Sequence, residues 1–207
     1  MNNLKIYVQQ SLLSVGLLFL FSCTNDNAKP PVQAESKKDT PKQISPFRFY
    51  KDLAVRPGLN FEVVSWGKGV DSLGGYLLLM SDSLKNDFRS TSVEREGILQ
   101  DSWNMDMDND GNPELYVELL KNQNQRDLNV FEYSRGSFQR ISFPSIPDRL
   151  KKIYGGNDKF SIKDGELYRS FPIVNPRDST EKAGDLKTVR YTLSGNSFSV
   201  KEVKEGE

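Results

Sequence analysis

A short acidic segment carries the most specific chemical pattern in the chain. Residues 106–114 read DMDNDGNPE, and their carboxylates are Asp106, Asp108, Asp110 and Glu114. Hard oxygen ligands at this spacing can wrap around a Ca²⁺ ion. The segment is not an EF-hand, because the twelfth position from Asp106 is Val117 instead of a bidentate acid, and no helix pattern flanks it.

The same residue types also suit an ordinary turn between strands. Asp, Asn and Gly supply side-chain to backbone hydrogen bonds and tolerate left-handed backbone conformations. Two interpretations of residues 106–114 therefore stay open, a calcium site and a purely structural turn. The sequence indicates no other cofactor.

The amino-acid composition excludes most of the familiar enzyme mechanisms. Histidine is absent and cysteine occurs once, which excludes histidine relays, Cys-His and Ser-His-Asp nucleophile systems, His-ligated zinc and CxxC redox chemistry. Lys+Arg and Asp+Glu both number 28, so no net positive charge favours a nucleic-acid partner. A carboxylate pair could serve a glycosidase, but the separation it needs is a three-dimensional quantity. We expect a binding protein and not an enzyme.

Strand signals dominate the chain from residue 46 onward. Runs rich in β-branched and aromatic residues, bounded by Gly, Asn, Asp or Pro, predict strands at 60–66, 75–80, 98–105, 114–120 and 128–133. Two hairpins are also predicted, 159–163 with 166–171 across Asp164-Gly165, and 188–193 with 197–203 across residues 194–196.

Helix signals are sparse. A short helix is expected at 147–153, and a turn of helix at 82–87. Eight to ten strands with so little helix predict an all-β fold, an antiparallel β-sandwich or flattened barrel, in one domain over residues 46–207. Trp66 and Trp103 fall in strand patterns and are expected in the core.

Residues 1–22 have the pattern of a targeting signal. Lys5 precedes an uncharged apolar run that ends at Ser22-Cys23 and is shorter than the ~20 residues of a membrane span. A small residue directly before the cysteine, with Leu20 three positions upstream, resembles the bacterial lipoprotein signal. This resemblance implies cleavage before Cys23 and lipidation of Cys23. The alternative is a general secretory signal peptide that leaves Cys23 as a free thiol.

Residues 23–45 are expected to be the lipidated cysteine and a disordered tether. The segment is rich in proline and polar residues, and as a coil it would reach on the order of 25 Å. Basic and acidic groups nearly balance, so we expect membrane contact through the lipid anchor only. The expected location is the bacterial outer membrane, facing the periplasm, with surface exposure as the alternative.

An ordered set of segments resembles a known protein family. The segments are Leu73-Gly74-Gly75-Tyr76, Arg95-Glu96-Gly97-Ile98, Trp103 leading into DMDNDGNPELYV, YGGNDKF at 154–160, KDGEL at 163–167 with RSFP at 169–172, and RYTL at 190–193. Their order resembles the periplasmic I-type (invertebrate) lysozyme inhibitors and their lipoprotein relatives. The resemblance implies an antiparallel β-sandwich that pushes surface loops into the active-site cleft of lysozyme.

The chain departs from this family at the loop that should enter the cleft. Where the family has a Ser-Gly-x-Tyr type segment, residues 121–127 read KNQNQRD. Lys121 or Arg126 could instead act as a charge-assisted plug against catalytic carboxylates. The resemblance implies that this loop and residues 154–158 lie at one end of the sandwich. The candidate partner-binding residues are Lys121, Asn124, Arg126, Tyr154 and Asn157, and the alternative for 121–127 is a solvated hairpin loop.

These observations predict a lipid-anchored bacterial envelope protein that binds another protein, with lysozyme inhibition by loop insertion as the specific expectation. Two alternatives stay open. One is a structural or scaffolding envelope lipoprotein with a calcium-stabilised loop. The other is a glycan-binding module, which exposure of either tryptophan beside carboxylates would favour.

Overall fold

The computed structural model describes residues 47–66, 73–175 and 178–204. Contacts divide the chain into two units, Met1–Lys42 and Gln43–Glu207, and all described residues belong to the second. The predicted signal peptide, Cys23 and the tether lie outside the described residues. Within these ranges no helix has the length and apolar character that a membrane crossing requires.

Antiparallel strands make up most of the described chain. They are β1 (Phe49–Arg56), β2 (Leu59–Trp66), β3 (Leu73–Asp82), β4 (Asp87–Glu96), β5 (Ile98–Met105), β6 (Glu114–Leu120), β7 (Arg126–Ser134), β8 (Ser137–Ile141), β9 (Lys159–Lys163), β10 (Glu166–Asn175), β11 (Asp178–Ser194) and β12 (Ser197–Glu202), with one short helix, α1 (Asp148–Lys151). They form three four-stranded sheets, A (β1–β4), B (β5–β8) and C (β9–β12), and in each sheet neighbouring strands are consecutive in the chain.

Sheet B is the middle layer and is apolar on both faces. Leu115 and Val117 of β6 pack in one core with Phe61 of sheet A. Tyr116, between them in sequence, packs in a second core with Val189 of sheet C. Successive side chains of a strand point to opposite faces, so one strand can serve two cores. Burial on both faces explains why five of the seven residues of β6 are apolar.

The predicted all-β fold is confirmed. The three open sheets, packed face to face, are compatible with a β-sandwich, and the flattened-barrel alternative is wrong because none of the sheets that the described residues form closes on itself. The Asp164-Gly165 hairpin is confirmed, with φ of +52° and +78° as a primed turn requires. The helix predicted at 147–153 is confirmed as α1, which begins after Pro147.

Two predictions about the elements are wrong. Twelve strands are present within the described residues, and β1, β4 and β8 were not predicted. All three lie at a sheet edge. β4 and β8 are mostly polar, so they lack an apolar pattern, whereas β1 does place Phe49, Leu53 and Val55 on one half-buried face. Residues 83–86 form the turn of the β3–β4 hairpin instead of a helix: Asp82 pairs with Asp87, and Asn86, at φ +50°, has a left-handed backbone that a helix does not allow. The Asp82 carboxylate caps this turn by accepting the Leu84 and Lys85 N–H groups, each at 3.1 Å.

Candidate functional site

The acidic loop connects β5 to β6 and is built as a turn. Asn109 (φ +57°) and Gly111 (φ +86°) adopt the left-handed conformation. The Asp106 carboxylate accepts the N–H groups of Asp110 and Gly111, each at 3.0 Å. The Arg56 guanidinium donates to the Gly111 carbonyl oxygen at 3.3 Å and ties the loop to β1. The turn chemistry expected from the sequence is therefore present.

The same loop brings its four carboxylates together. One oxygen from each of Asp106, Asp108, Asp110 and Glu114 lies within 4.8 Å of the others. Oxygens that bind one Ca²⁺ at 2.3–2.6 Å lie within about 5 Å of one another. The separation in this loop therefore matches that of ligands to a single ion.

Glu114 is the unusual member of the group. It is 0% exposed, and its Oε2 accepts the Met107 N–H at 2.8 Å. Among the described residues, neither the buried Glu114 Oε1 nor the buried Asp108 Oδ1 has a hydrogen-bond partner. Burial raises the pKa of Glu114 to about 7; the Met107 N–H opposes this rise, and the nearby Asp108, Asp106 and Asp110 add to it. A turn alone does not account for a carboxylate in this environment.

A second site forms at the opposite end of β6, which we call the binding end: residues 121–125 with residues 154–158. The Lys121 N–H donates to the Gln125 carbonyl oxygen at 2.9 Å and closes the first loop. The Asn157 N–H donates to the Asn124 carbonyl oxygen at 2.5 Å. The loops approach so closely that a side chain at Gly156 would lie 2.9 Å from the same oxygen. The structure thus brings together the two segments that the resemblance had associated.

A buried ion pair braces the binding end. Asp158 and Arg169 have side chains 0% and 2% exposed, and the Arg169 Nε donates to Asp158 Oδ1 at 2.8 Å. Asp158 Oδ2 accepts the Arg126 N–H at 2.9 Å and also the Tyr154 hydroxyl. Arg169 Nη2 donates to the Arg126 carbonyl oxygen at 2.8 Å. One carboxylate and one guanidinium therefore hold 154–158 against the start of β7.

The electrostatics of this pair are consistent with its burial. Burial by itself would lower the pKa of Arg169, but the hydrogen bond and the charge of Asp158 outweigh it and raise that pKa. Burial and the hydrogen bond to Asp158 raise the pKa of Tyr154, which keeps the phenol neutral. Arg169 was not predicted as a site residue. The sequence signal was its position, because Arg169 lies two residues from each of the buried Leu167 and Phe171 and so shares their face of β10.

The two cations expected to act as a plug are engaged within the chain. The Arg126 guanidinium pairs with Glu118, whose side chain is 8% exposed. The Lys121 ammonium pairs with Asp127 at 2.5 Å, with 41% of the lysine side chain exposed. The exposed residues of the two loops besides Lys121 are amides, which we call the amide patch: Asn122, Gln123, Asn124 and Asn157. Tyr154 and Arg126 serve the brace, whereas Asn124 and Asn157 face solvent.

A tryptophan lies on the outer face of sheet A near the same end. Trp66 is 41% exposed, so its expected place in the core is wrong. It pairs with Gly75, and Gly75 pairs with Glu94 on the next strand. Directly paired residues share a face. The Trp66 ring lies over Gly75, on the side of the strand that carries Glu94. Trp103, in contrast, is partly buried and stacks on Tyr116, with ring centroids 5.5 Å apart.

A polar groove of about 600 Å³ adjoins the binding end between β4 and sheet B. Its charged lining residues are Glu94, Glu96, Arg95, Lys121 and Arg140. Both signs of charge are present, so the groove does not select a strongly anionic or cationic ligand.

Comparison of the chain with protein-family models, with curated proteins and with solved structures gives no significant match.

Proposed function

We propose that this protein is a lipid-anchored bacterial envelope protein that binds another protein through its binding end, without catalysis. The specific partner proposed is an I-type lysozyme, whose cleft would receive the loop 121–125. The proposed location is the outer membrane, facing the periplasm. The ordered sequence segments that resemble the I-type lysozyme inhibitors support this partner.

The observation that carries the proposal is the braced pair of loops. Residues 121–125 and 154–158 are separated in sequence but are joined by backbone hydrogen bonds and by the Asp158–Arg169 pair. Loops that are already ordered lose less conformational entropy on binding, so more of the contact energy appears as affinity. Solvated hairpin loops would not need such a brace.

The groups that we expect to contact lysozyme differ from the two cations, Lys121 and Arg126, that the sequence suggested. Releasing Arg126 would leave Glu118 as an unpaired, nearly buried charge, which is costly. We therefore assign the contact to the amide patch, with Lys121 as an additional donor. Amide side chains both donate and accept hydrogen bonds, as do the groups of a cleft that binds polysaccharide. Binding should consequently depend only weakly on salt concentration.

The test compares two alanine variants against lysozymes of the I, C and G types. Gln123→Ala with Asn124→Ala removes two exposed amides, and we expect binding of an I-type lysozyme to weaken at least tenfold. Asn196→Ala with Ser197→Ala changes an exposed turn residue and the exposed first residue of β12, and should leave affinity unchanged. Affinity is measured by calorimetry and inhibition by the clearing of cell walls. If wild type neither binds nor inhibits any class at micromolar concentration, the lysozyme proposal fails and the scaffolding function replaces it.

Trp66 supports glycan binding as a second candidate function. An indole beside a carboxylate on one face of a sheet offers a stacking surface and a hydrogen-bond acceptor for a sugar. Titration of chitin or peptidoglycan fragments, followed by tryptophan emission, tests this candidate. A change in emission that is lost in Trp66→Phe would favour it over lysozyme binding.

A further inference from the structure

The acidic loop and its buried glutamate carry an inference that is independent of the proposed function. Four carboxylates share a space in which their oxygens lie within 4.8 Å of one another. Like charges at this separation repel, and removal from water strengthens the repulsion. The arrangement therefore needs compensation beyond the turn hydrogen bonds.

Two buried carboxylate oxygens of the cluster lack a group that would compensate their negative charge. Glu114 is 0% exposed, yet its Oε1 has no hydrogen-bond partner among the described residues. Asp108 Oδ1 is also buried without a partner in that part of the chain. Buried polar atoms are nearly always satisfied by protein, water or an ion. Because both atoms belong to the same cluster, one ligand can satisfy them together.

The turn hydrogen bonds leave the cluster free to bind a cation. Asp106 accepts two backbone N–H groups, and Asp110 accepts the backbone and side-chain N–H groups of Asn112 at 2.8 and 2.9 Å. A carboxylate has about four lone-pair sites, so each retains capacity for a metal. The same bonds fix the loop before an ion arrives.

We propose that Asp106, Asp108, Asp110 and Glu114 bind one Ca²⁺ ion. The donors are all oxygen, which suits a hard cation rather than zinc or copper. Calcium accepts flexible oxygen cages, whereas magnesium is smaller and usually keeps several waters. Glu114 is the first residue of β6, one of the two inner strands of sheet B, so the ion would fix the start of that strand.

The experiment uses the purified full-length protein with calcium alone as the probe. Calorimetry should show one Ca²⁺ per chain. The melting temperature should be about 5 °C or more higher at a hundredfold excess of calcium over its dissociation constant than with a chelator. Equal melting temperatures for folded wild type in the two conditions would overturn the proposal. Saturation by magnesium at the same or a lower concentration would also overturn the assignment to calcium.

Two variants and a control locate the ion. Asp108→Asn removes one charge and no observed hydrogen bond, so the chain should fold and lose at least tenfold in calcium affinity. Glu114→Gln keeps an acceptor for the Met107 N–H and should show the same loss. Asp164→Asn changes an exposed acidic turn of similar chemistry, and the calcium response should remain. If the response survives in both site variants, or is lost equally in Asp164→Asn, the ion does not bind at this loop.

Discussion

At the scale of single residues, two buried carboxylates define the two sites, and they differ in where their compensating charge comes from. Asp158 has its partner within the chain, because Arg169 lies 2.8 Å away and is itself buried. Glu114 is equally buried but faces three other acids. An unpaired buried charge is costly, so the first carboxylate stabilises the fold as it stands and the second requires a proton or a cation.

The brace leads to a prediction about stability. Asp158→Asn preserves the shape of the side chain but leaves the buried Arg169 charge unpaired, so it should lower the free energy of unfolding by about 3–5 kcal/mol. Urea denaturation measures the loss. Asp148→Asn, which breaks the exposed Asp148–Lys151 pair, should leave stability unchanged. If both variants lost the same amount, the pair would not brace the loops.

At the scale of elements, β6 connects the two sites. It begins at Glu114, ends at Leu120 and spans roughly 20 Å at about 3.3 Å per residue. Its neighbour β5 begins directly after Gly97, where the chain passes from sheet A to sheet B. Gly97 has φ of +113°, and a Cβ atom at this residue would lie 2.6 Å from the Leu120 carbonyl oxygen. The corner between the layers therefore requires glycine for both its conformation and its space.

A pair of glycine substitutions separates these two requirements. Gly97→Ala should lower the free energy of unfolding by about 2–4 kcal/mol, because it adds a backbone clash to an unfavourable φ. Gly165 also has a positive φ, +78°, but nothing lies within 4 Å of an added Cβ. Gly165→Ala should therefore cost only about 1 kcal/mol. Chemical denaturation of both variants tests the difference, and equal losses would mean that the Gly97 corner relaxes.

At the scale of the whole molecule, three stacked sheets place the acidic loop and the binding end at opposite ends of the middle layer. Each core is formed by residues of two sheets, and neither is formed by one meander alone. A single meander would expose one apolar face, so the sheets stabilise one another by burying those faces.

The proposed lipid anchor leads to a prediction about processing. Because the apolar run ends at Ser22-Cys23, Cys23→Ala should abolish incorporation of radiolabelled palmitate and release the protein from the membrane fraction. Ser22→Ala keeps a small residue before the cysteine and should retain the label. Wild type that is secreted without any label would contradict the anchor.

The sequence by itself determined the features that depend on neighbouring residues. Alternating apolar residues and turn dipeptides predicted nine of the strands, and the spacing of Asp106, Asp108, Asp110 and Glu114 predicted the acidic cluster, because both are set within a few residues. Only the tertiary structure decided that β6 is shared by two cores and that Arg169 pairs with Asp158. It also decided that Arg126 forms an ion pair with Glu118, and that Glu114 is buried without a hydrogen-bond partner for Oε1 among the described residues. These features depend on which strands pair and which sheet faces pack together. The residue type alone does not show whether the face that carries it contacts water or another sheet.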